Sequence, residues 1–455
     1  MPLTLVDHRA PASLPVFLVA GKAIEESGAD AAACAWARGN GFSGSEGAVL
    51  TIPRPDGALA GAFFGIGSNG SSPLIYGKLA RTLPEGEWHF ATPPKDPALA
   101  ALALLLGSYA FTTYGAKATA AIRFAAPEGA DAEGARRVAQ GVFLTRDLVN
   151  TPTNDLGPDA LERVARELAE QHGASFSSVV GEDLLAQNFP MIHAVGRAGA
   201  IAPRLIDLCW GEESAPKVTL VGKGVCFDTG GLDIKTASGM LLMKKDMGGA
   251  ANVLGLASMI MDEKLPIRLR VLIPAVENSI AGNAFRPGDV LKSRKGITVE
   301  IGNTDAEGRL ILADALALAD EEEPELLVDM ATLTGAARVA LGPDLPPFYT
   351  RDDLFASALA AAAEQTADPL WRMPLWQPYA EKLRSRIADI NNVTSDGFAG
   401  SVTAALFLQR FVEKAETWAH FDIFAWSPAE KPTCPVGGEA QGIRALLAVL
   451  RERYR

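Results

Sequence analysis

Asp305 and Glu307 stand two residues apart in the run Asn303-Thr-Asp-Ala-Glu-Gly-Arg-Leu310, with Arg309 two further on. In an extended turn, side chains at that spacing point the same way. Carboxylates gathered in one place repel each other unless something positive neutralises them, and a divalent metal does that well. The plainer reading of an isolated Asp-x-Glu is that Thr304 or Asp305 caps the following helix while Glu307 favours its N-terminal dipole. A second run shifts that balance. Val221-Gly-Lys-Gly-Val-Cys-Phe-Asp-Thr-Gly-Gly-Leu-Asp-Ile-Lys235, continuing to Met243-Lys-Lys-Asp-Met-Gly-Gly249, sets Asp228 and Asp246 in glycine-rich, apolar sequence. Lone carboxylates are costly to bury there. Lys223 and Lys235 share the stretch, and Gly230-Gly231 allows close approach of backbone to a ligand. For any one of these residues, a surface salt bridge around a glycine-rich loop is the competing explanation. Together they make four carboxylates, two lysines and an arginine. None of the histidines (His8, His89, His172, His193, His420) falls in either run. A carboxylate-rich set of this kind suits a pair of hard or borderline cations better than a single histidine-bound zinc.

These residues need elements that bring them to one place. Apolar runs predict strands over Arg204 to Cys209, Lys217 to Val221, Arg268 to Ile273, Ile297 to Ile301 and Leu326 to Met330. Helical patterns cover Gly248 to Asp262, Gly308 to Asp320, Leu354 to Glu364, Ala399 to Lys414 and Gly442 to Arg453. Strand and helix in alternation imply an α/β fold with a mainly parallel, doubly wound sheet flanked by helices. Ligands in such folds bind beyond the carboxyl ends of the strands, so both acidic runs are expected at one edge of that sheet. Asp131 to Asn150 reads as a connecting helix ended by Thr151-Pro152, and a second helix runs from Pro158 to His172. The residues before it have short apolar runs, such as Val16 to Val19 and Ala48 to Ile52. Glycine-rich and proline-rich stretches such as Gly65 to Pro73 separate them. The expected organisation is a smaller α/β domain over 1–130, the connector over 131–150 and a catalytic domain over 151–455.

A chain of 455 residues is too long for one ordinary core. Its 48% hydrophobic and 21% charged residues are those of a soluble globular protein. A net charge of −12 argues against a general nucleic-acid or membrane-surface binder. The most apolar run, Ala98 to Leu106, is far short of the roughly 20 residues that span a membrane, and predicts a core helix. Cys34, Cys209, Cys226 and Cys434 are scattered without a CxxC pair, which disfavours a zinc cluster or a disulfide framework. With no basic and apolar leader in the first residues, a reducing cytoplasm is the expected compartment. Neither GxSxG nor GxxxxGK[ST] occurs, which counts against a serine hydrolase and a phosphate-cradling loop.

The run Asn303 to Leu310 is identical to the signature of the leucyl aminopeptidases, the cytosol aminopeptidase family of dizinc exopeptidases. The resemblance extends from about Arg146 to the C-terminus through Arg146-Asp-Leu-Val-Asn-Thr-Pro152, Arg286-Pro-Gly-Asp289, Ala331-Thr-Leu-Thr-Gly335 and Trp418-Ala-His-Phe-Asp-Ile423. It implies metal ligands at Lys223, Asp228, Asp246, Asp305 and Glu307. Lys223 and Asp246 would serve the tighter metal, Asp228 and Glu307 would bridge, and Asp305 would serve the exchangeable one. The ions implied are Zn2+, with Mn2+ or Mg2+ as substitutes. It implies Lys235 and Arg309 as catalytic residues, Lys235 steadying an oxyanion and Arg309 holding a bicarbonate that acts as general base. Met243, Thr332, Asn303, Leu333 and Gly335 are the substrate-binding positions it implies. It further implies peptide substrates with leucine or another apolar residue at the N-terminus, and a homohexamer. After Ile234-Lys235 many members have proline, where this chain has Thr236-Ala237-Ser238, a departure that bears on substrate preference. Three alternatives stand beside it: another two-metal hydrolase such as a phosphoesterase, a DNA-binding architectural role, and a scaffold without activity.

Overall fold

Residues 3–68, 72–115 and 121–455 are described by the computed structural model of the chain. They form two compact units, Met1–Phe143 with Ala429–Val436, and Leu144–Pro428 with Gly437–Arg455. The boundary near Phe143 falls inside one continuous helix, Ala132–Asn150.

The first unit is built on a six-stranded sheet in the order Leu3–Val6, Ile122–Ala125, Gly86–Phe90, Leu14–Val19, Leu59–Gly65, Val49–Pro53. All neighbours are parallel except the last pair. The apolar run expected as a core helix is Pro97–Gly107, with every residue from Ala100 onward buried. Its start is fixed by Asp96, whose side chain accepts from the Leu99 amide, and by a proline at the first position. Residues 69–71 of the glycine-rich stretch, like Met1 and Pro2, lie outside the described residues.

The second unit holds an extended sheet in the order Trp371–Arg372, Pro347–Thr350, Thr417–Asp422, Leu326–Ala331, Lys217–Gly222, Arg268–Asn278, Arg204–Trp210, Ser175–Val180. The four central strands, Thr417–Asp422 to Arg268–Asn278, are mutually parallel. Gly224–Asp228 prolongs the sheet by pairing in parallel with the far half of Arg268–Asn278. Both faces of the centre are covered, which is why Val218–Val221 and Leu326–Ala331 are unbroken buried runs instead of alternating ones. Helix Gly248–Glu263 packs on one face with Pro158–His172 and Ile443–Arg453, and helix Gly308–Asp320 on the other with Pro190–Gly196 and Gly400–Gln409. This is the doubly wound, mainly parallel architecture expected.

Two expectations need correction. The strand read at Ile297 to Ile301 exists as Thr298–Glu300, but it belongs to a separate three-stranded sheet with Val290–Lys292 and Ile390–Asn391. The two acidic runs therefore reach the site from different sheets. The helix expected over Ala399 to Lys414 stops at Gln409. Its continuation is diverted by Asp320, whose carboxylate accepts from the amides of Glu413, Lys414 and Ala415, each at 2.9 Å. A buried acid satisfies those donors where a further helical turn would otherwise have done so.

Helix Gly248–Glu263 starts hard against the sheet. A Cβ built on Gly249 would lie 2.0 Å from the Met330 carbonyl oxygen and 2.8 Å from the Lys223 amide nitrogen. Both obstacles are backbone, so neither can rotate away. Gly249→Ala is expected to destabilise the fold by about 1–3 kcal/mol, read as a lower thermal midpoint. An unchanged midpoint would show that the helix has room to shift.

Candidate metal centre

Lys223 follows the strand Lys217–Gly222, and Asp228 closes the strand Gly224–Asp228. Asp246 sits in the short 3-10 turn Met243–Met247 that leads into helix Gly248–Glu263. Glu307 occupies the N-cap of helix Gly308–Asp320 without making a side-chain cap bond, so its carboxyl group is left for other work. The capping role considered for Thr304 and Asp305 is not what they do here. The Thr304 hydroxyl bonds the Gly230 carbonyl at 2.6 Å.

The charged groups interlock. Oxygen atoms of Asp228, Asp305 and Glu307 lie within 4.8 Å of one another. Lys223 Nζ lies 2.7 Å from Asp246 and 2.9 Å from Glu307, and donates to the Thr332 carbonyl at 3.1 Å. Lys235 Nζ is 2.8 Å from Asp228 and also in contact with Asp305. Asp246 thus joins the three-carboxylate group through Lys223. Arg309, in the first turn of its helix, donates from Nη1 to the Asn392 carbonyl at 2.6 Å, and its Nε is buried with no hydrogen-bond partner. Thr332 is buried, with its hydroxyl 2.8 Å from Asp246 Oδ1. Asn303 accepts from the Asp305 amide at 2.7 Å, which tightens the turn between them. Leu333 donates its amide to Asp422. Met243 and Gly335 begin the Asp246 turn and the helix Gly335–Leu341 respectively.

Side chains that sequence reasoning did not single out hold these pieces together, about a turn made by the two glycines that it did. Asn278, ending its strand, donates to Asp228 at 2.9 Å and to the Thr304 carbonyl at 3.1 Å, so one amide joins both acidic runs. Asp233 accepts from the Thr304 amide at 2.7 Å. Gly230 and Gly231 turn the first run towards the second with φ of +87° and +64°, values that favour glycine. Asp422 accepts from the amides of Leu333 and Thr334 and from the Thr334 and Ser401 hydroxyls. Asp422 belongs to a recognisable motif and ends a strand, which is a usable signal. Asn278 and Asn392 carry no charge and belong to no acidic run, so nothing local marks them.

Burial dominates the electrostatics. It alone would lower the Lys223 pKa, but Asp246, Glu307 and Asp228 outweigh it and hold the ammonium above its usual range. Burial works against Lys235 too, and Asp228 and Asp305 again reverse the sign. Burial, then the charge on Asp228, pushes Glu307 up to about 8 against the pull of Lys223. The same two causes take Asp305 up to about 6. Burial brings Arg309 down to about 10, which leaves it a cation at neutral pH. One ammonium between two carboxyl groups neutralises only one of them. Lys223 stays charged, and the surplus negative charge is held off by a proton on Glu307.

The donor set fits divalent cations. The oxygens are hard donors from separate side chains, and Oε2 of Glu307 is buried without a hydrogen-bond partner. Such an atom is costly to leave unmatched. A cation added to the group would relieve both the surplus charge and the orphaned oxygen.

Sequence and structure comparisons place the chain in a family. Residues 143–447 match the model of the cytosol aminopeptidase family, catalytic domain, and residues 19–127 match that of the M17 aminopeptidase N-terminal domain. The chain is 42% identical over 366 residues to a protein of Roseiflexus castenholzii named "Probable cytosol aminopeptidase", an alignment covering 76% of this chain and 75% of that one. It superposes on the crystal structure of the cytosol aminopeptidase from Coxiella burnetii with a TM-score of 0.94, 45% identity and full coverage of both chains. The bottromycin maturation enzyme BotP, solved in complex with Mn, is similar at a TM-score of 0.88 and 32% identity, over 98% of this chain and 100% of that one. This chain is a member of the cytosol aminopeptidase family, whose members are metal-dependent aminopeptidases.

Proposed function

We propose that this protein removes N-terminal residues, leucine and other apolar ones by preference, from peptides, using two divalent cations held by Lys223, Asp228, Asp246, Asp305 and Glu307. The observation that carries this reading is the meeting of four carboxyl groups, three of them buried, with two lysines, while Glu307 Oε2 is buried without a hydrogen-bond partner. The cations, Zn2+ or else Mn2+ or Mg2+, would supply Lewis acidity towards the scissile carbonyl and a water activated at neutral pH. The manganese in the structure of BotP supports a cation of that class. Asp228 and Glu307, buried carboxyl groups brought together from two different segments, suit positions between the ions. Lys223 serves as a ligand only as the neutral amine, so loading the site displaces its proton as well as that on Glu307. Affinity for metal therefore rises with pH.

Lys235 retains the flexible stem and positive charge needed to donate to an oxyanion forming beside Asp228 and Asp305. Arg309 is a buried cation with a free Nε, suited to hold a small anion such as bicarbonate for proton transfer. Asn303, Met243, Thr332, Leu333 and Gly335 are assigned to substrate binding. An apolar lining discriminates by only about 1–3 kcal/mol per methylene-sized difference, so a broad preference is expected. By the same resemblance the protein works as a homohexamer in the cytoplasm. Among the described residues, no helix is long and apolar enough to cross a membrane.

Hydrolysis of leucine-p-nitroanilide tests the reading. Chelator should abolish it and Zn2+ or Mn2+ restore it. Asp305→Ala should lose activity at limiting metal, and Lys235→Ala should lower kcat by about 100-fold or more at saturating metal. Metal-loaded wild type inactive on every free-amine peptide would rule the proposal out.

A second measurement concerns charge. Glu307 is raised from 4.5 to about 8 in the folded chain, so the folded form prefers the proton. That contribution to stability is complete below pH 4.5 and is lost as pH rises towards 8. In chelator, the unfolding free energy of wild type should fall relative to Glu307→Gln across that window, by at most about 1.4 kcal/mol per pH unit. A difference between the two proteins that is flat in pH would contradict it.

A further inference from the structure

Behind the Asn303–Arg309 segment lies a side chain that has used every polar atom it owns. Asn392 follows the strand Ile390–Asn391, which pairs in parallel with Thr298–Glu300, and it is fully buried. Its amide donates to the Glu300 carbonyl at 3.0 Å, which sets its register on the small sheet. Its side-chain oxygen accepts from the amides of Gly302 at 2.8 Å and Asn303 at 3.3 Å. Its side-chain nitrogen donates to the carbonyls of Asn303 at 2.7 Å and Ala306 at 3.4 Å. Its own carbonyl accepts from Arg309 Nη1 at 2.6 Å.

Asp305 lies between the two points where this side chain grips the turn, Glu307 directly follows the second, and Arg309 is held by the same residue. The contact is also close. A Cβ on Gly302 would lie 2.6 Å from Asn391 Oδ1 and 2.7 Å from Val393 Cγ2. Thr304 faces the other way, towards Gly230, Asp233 and Asn278. The turn is thus pinned from two sides, and on one of them Asn392 supplies the side-chain hydrogen bonds given above. Buried amides and carbonyls that lose such a partner are left unsatisfied, so the turn would shift to find others.

We propose that Asn392 is a positioning residue for the reaction: it fixes the backbone that aims Asp305 and Glu307 and sets the guanidinium of Arg309. This rests on the aminopeptidase reading above. Asn392→Ala removes the side-chain bonds and keeps the carbonyl. Asn392→Asp keeps the shape and the acceptor but turns a carboxylate oxygen towards two carbonyls.

The test compares wild type with both variants below their thermal midpoints. It reads Mn2+ affinity of chelator-stripped protein by calorimetry, and kcat and KM on leucine-p-nitroanilide at saturating Mn2+. Mn2+ affinity and kcat should each fall by about 10–100-fold, with KM moving far less. For Asn392→Asp, activity relative to wild type should recover as pH falls from about 8 to about 6, because a protonated buried carboxyl group donates again. If Asn392→Ala does not fold, the isosteric aspartate variant and its pH profile carry the test. Wild-type metal affinity and kcat in a variant whose only change is a lower midpoint would reduce Asn392 to a fold residue and overturn the inference. Wild type that neither binds Mn2+ nor releases leucine would overturn the aminopeptidase reading itself, a result told apart by the wild-type control.

Discussion

Four carboxyl groups against two ammonium groups, on a buried sheet edge, is the constraint around which the catalytic unit is built. Two like charges about 4 Å apart repel by roughly 4 kcal/mol at an effective dielectric near 20. A chain free to move would separate them. Here each lysine bridges two acids, Lys223 joining Asp246 to Glu307 and Lys235 joining Asp228 to Asp305. The pairing is economical but incomplete, and the remainder appears as the raised pKa of Glu307 and Asp305. A divalent cation answers that remainder more fully than a proton does, because it neutralises charge on several oxygens at once.

Holding the acids together requires backbone that cannot yield, and the parallel sheet provides it. Lys223, Thr332 and Asp422 sit at or just past the carboxyl ends of strands whose register is fixed by ladders on both sides, and Asp228 ends a strand laddered to Arg268–Asn278. Helix Gly248–Glu263 locks the next turn in place. The Ala250 amide donates to the Lys223 carbonyl at 2.9 Å, and Gly249 lets the helix touch the Leu326–Ala331 strand. The acidic run 303–309 enters from the small sheet, so its alignment depends on cross-links instead of a shared ladder. Thr304, Asn278 and Asp233 make those cross-links.

This division explains what the sequence disclosed. The parallel core was legible because strands buried on both faces read as unbroken apolar runs, as in Lys217–Gly222 and Leu326–Ala331. The charged residues of the two acidic runs were legible because charged side chains are conspicuous in glycine-rich, apolar surroundings. Thr298–Glu300 was legible as a strand but not as a member of another sheet, because three residues carry no mark of their partner. The early end of helix Gly400–Gln409 was hidden for a related reason: the carboxylate that captures the chain lies on Asp320, far away in sequence. The match of Asn303 to Leu310 supplied roles for residues whose spacing alone left salt bridges and helix caps open.

The holders escaped notice because of what they must be. A side chain that grips the turn beside Asp305 and Glu307 has to offer both a donor and an acceptor. It must also add no charge to a site that already has a surplus. A short amide meets both demands, as Asn392 does with both its side-chain atoms, while Asn278 grips through its nitrogen alone; the two are fully or almost fully buried. Carboxylate holders occur only where donors converge on them: Asp233 takes the Thr304 amide at an exposed position, and Asp422 takes two amides and two hydroxyls. The residues proposed for chemistry are thus set apart by charge, and Asn278 and Asn392, which hold the turn, by the lack of it. An asparagine remote in sequence becomes visible only when the fold brings it to the turn.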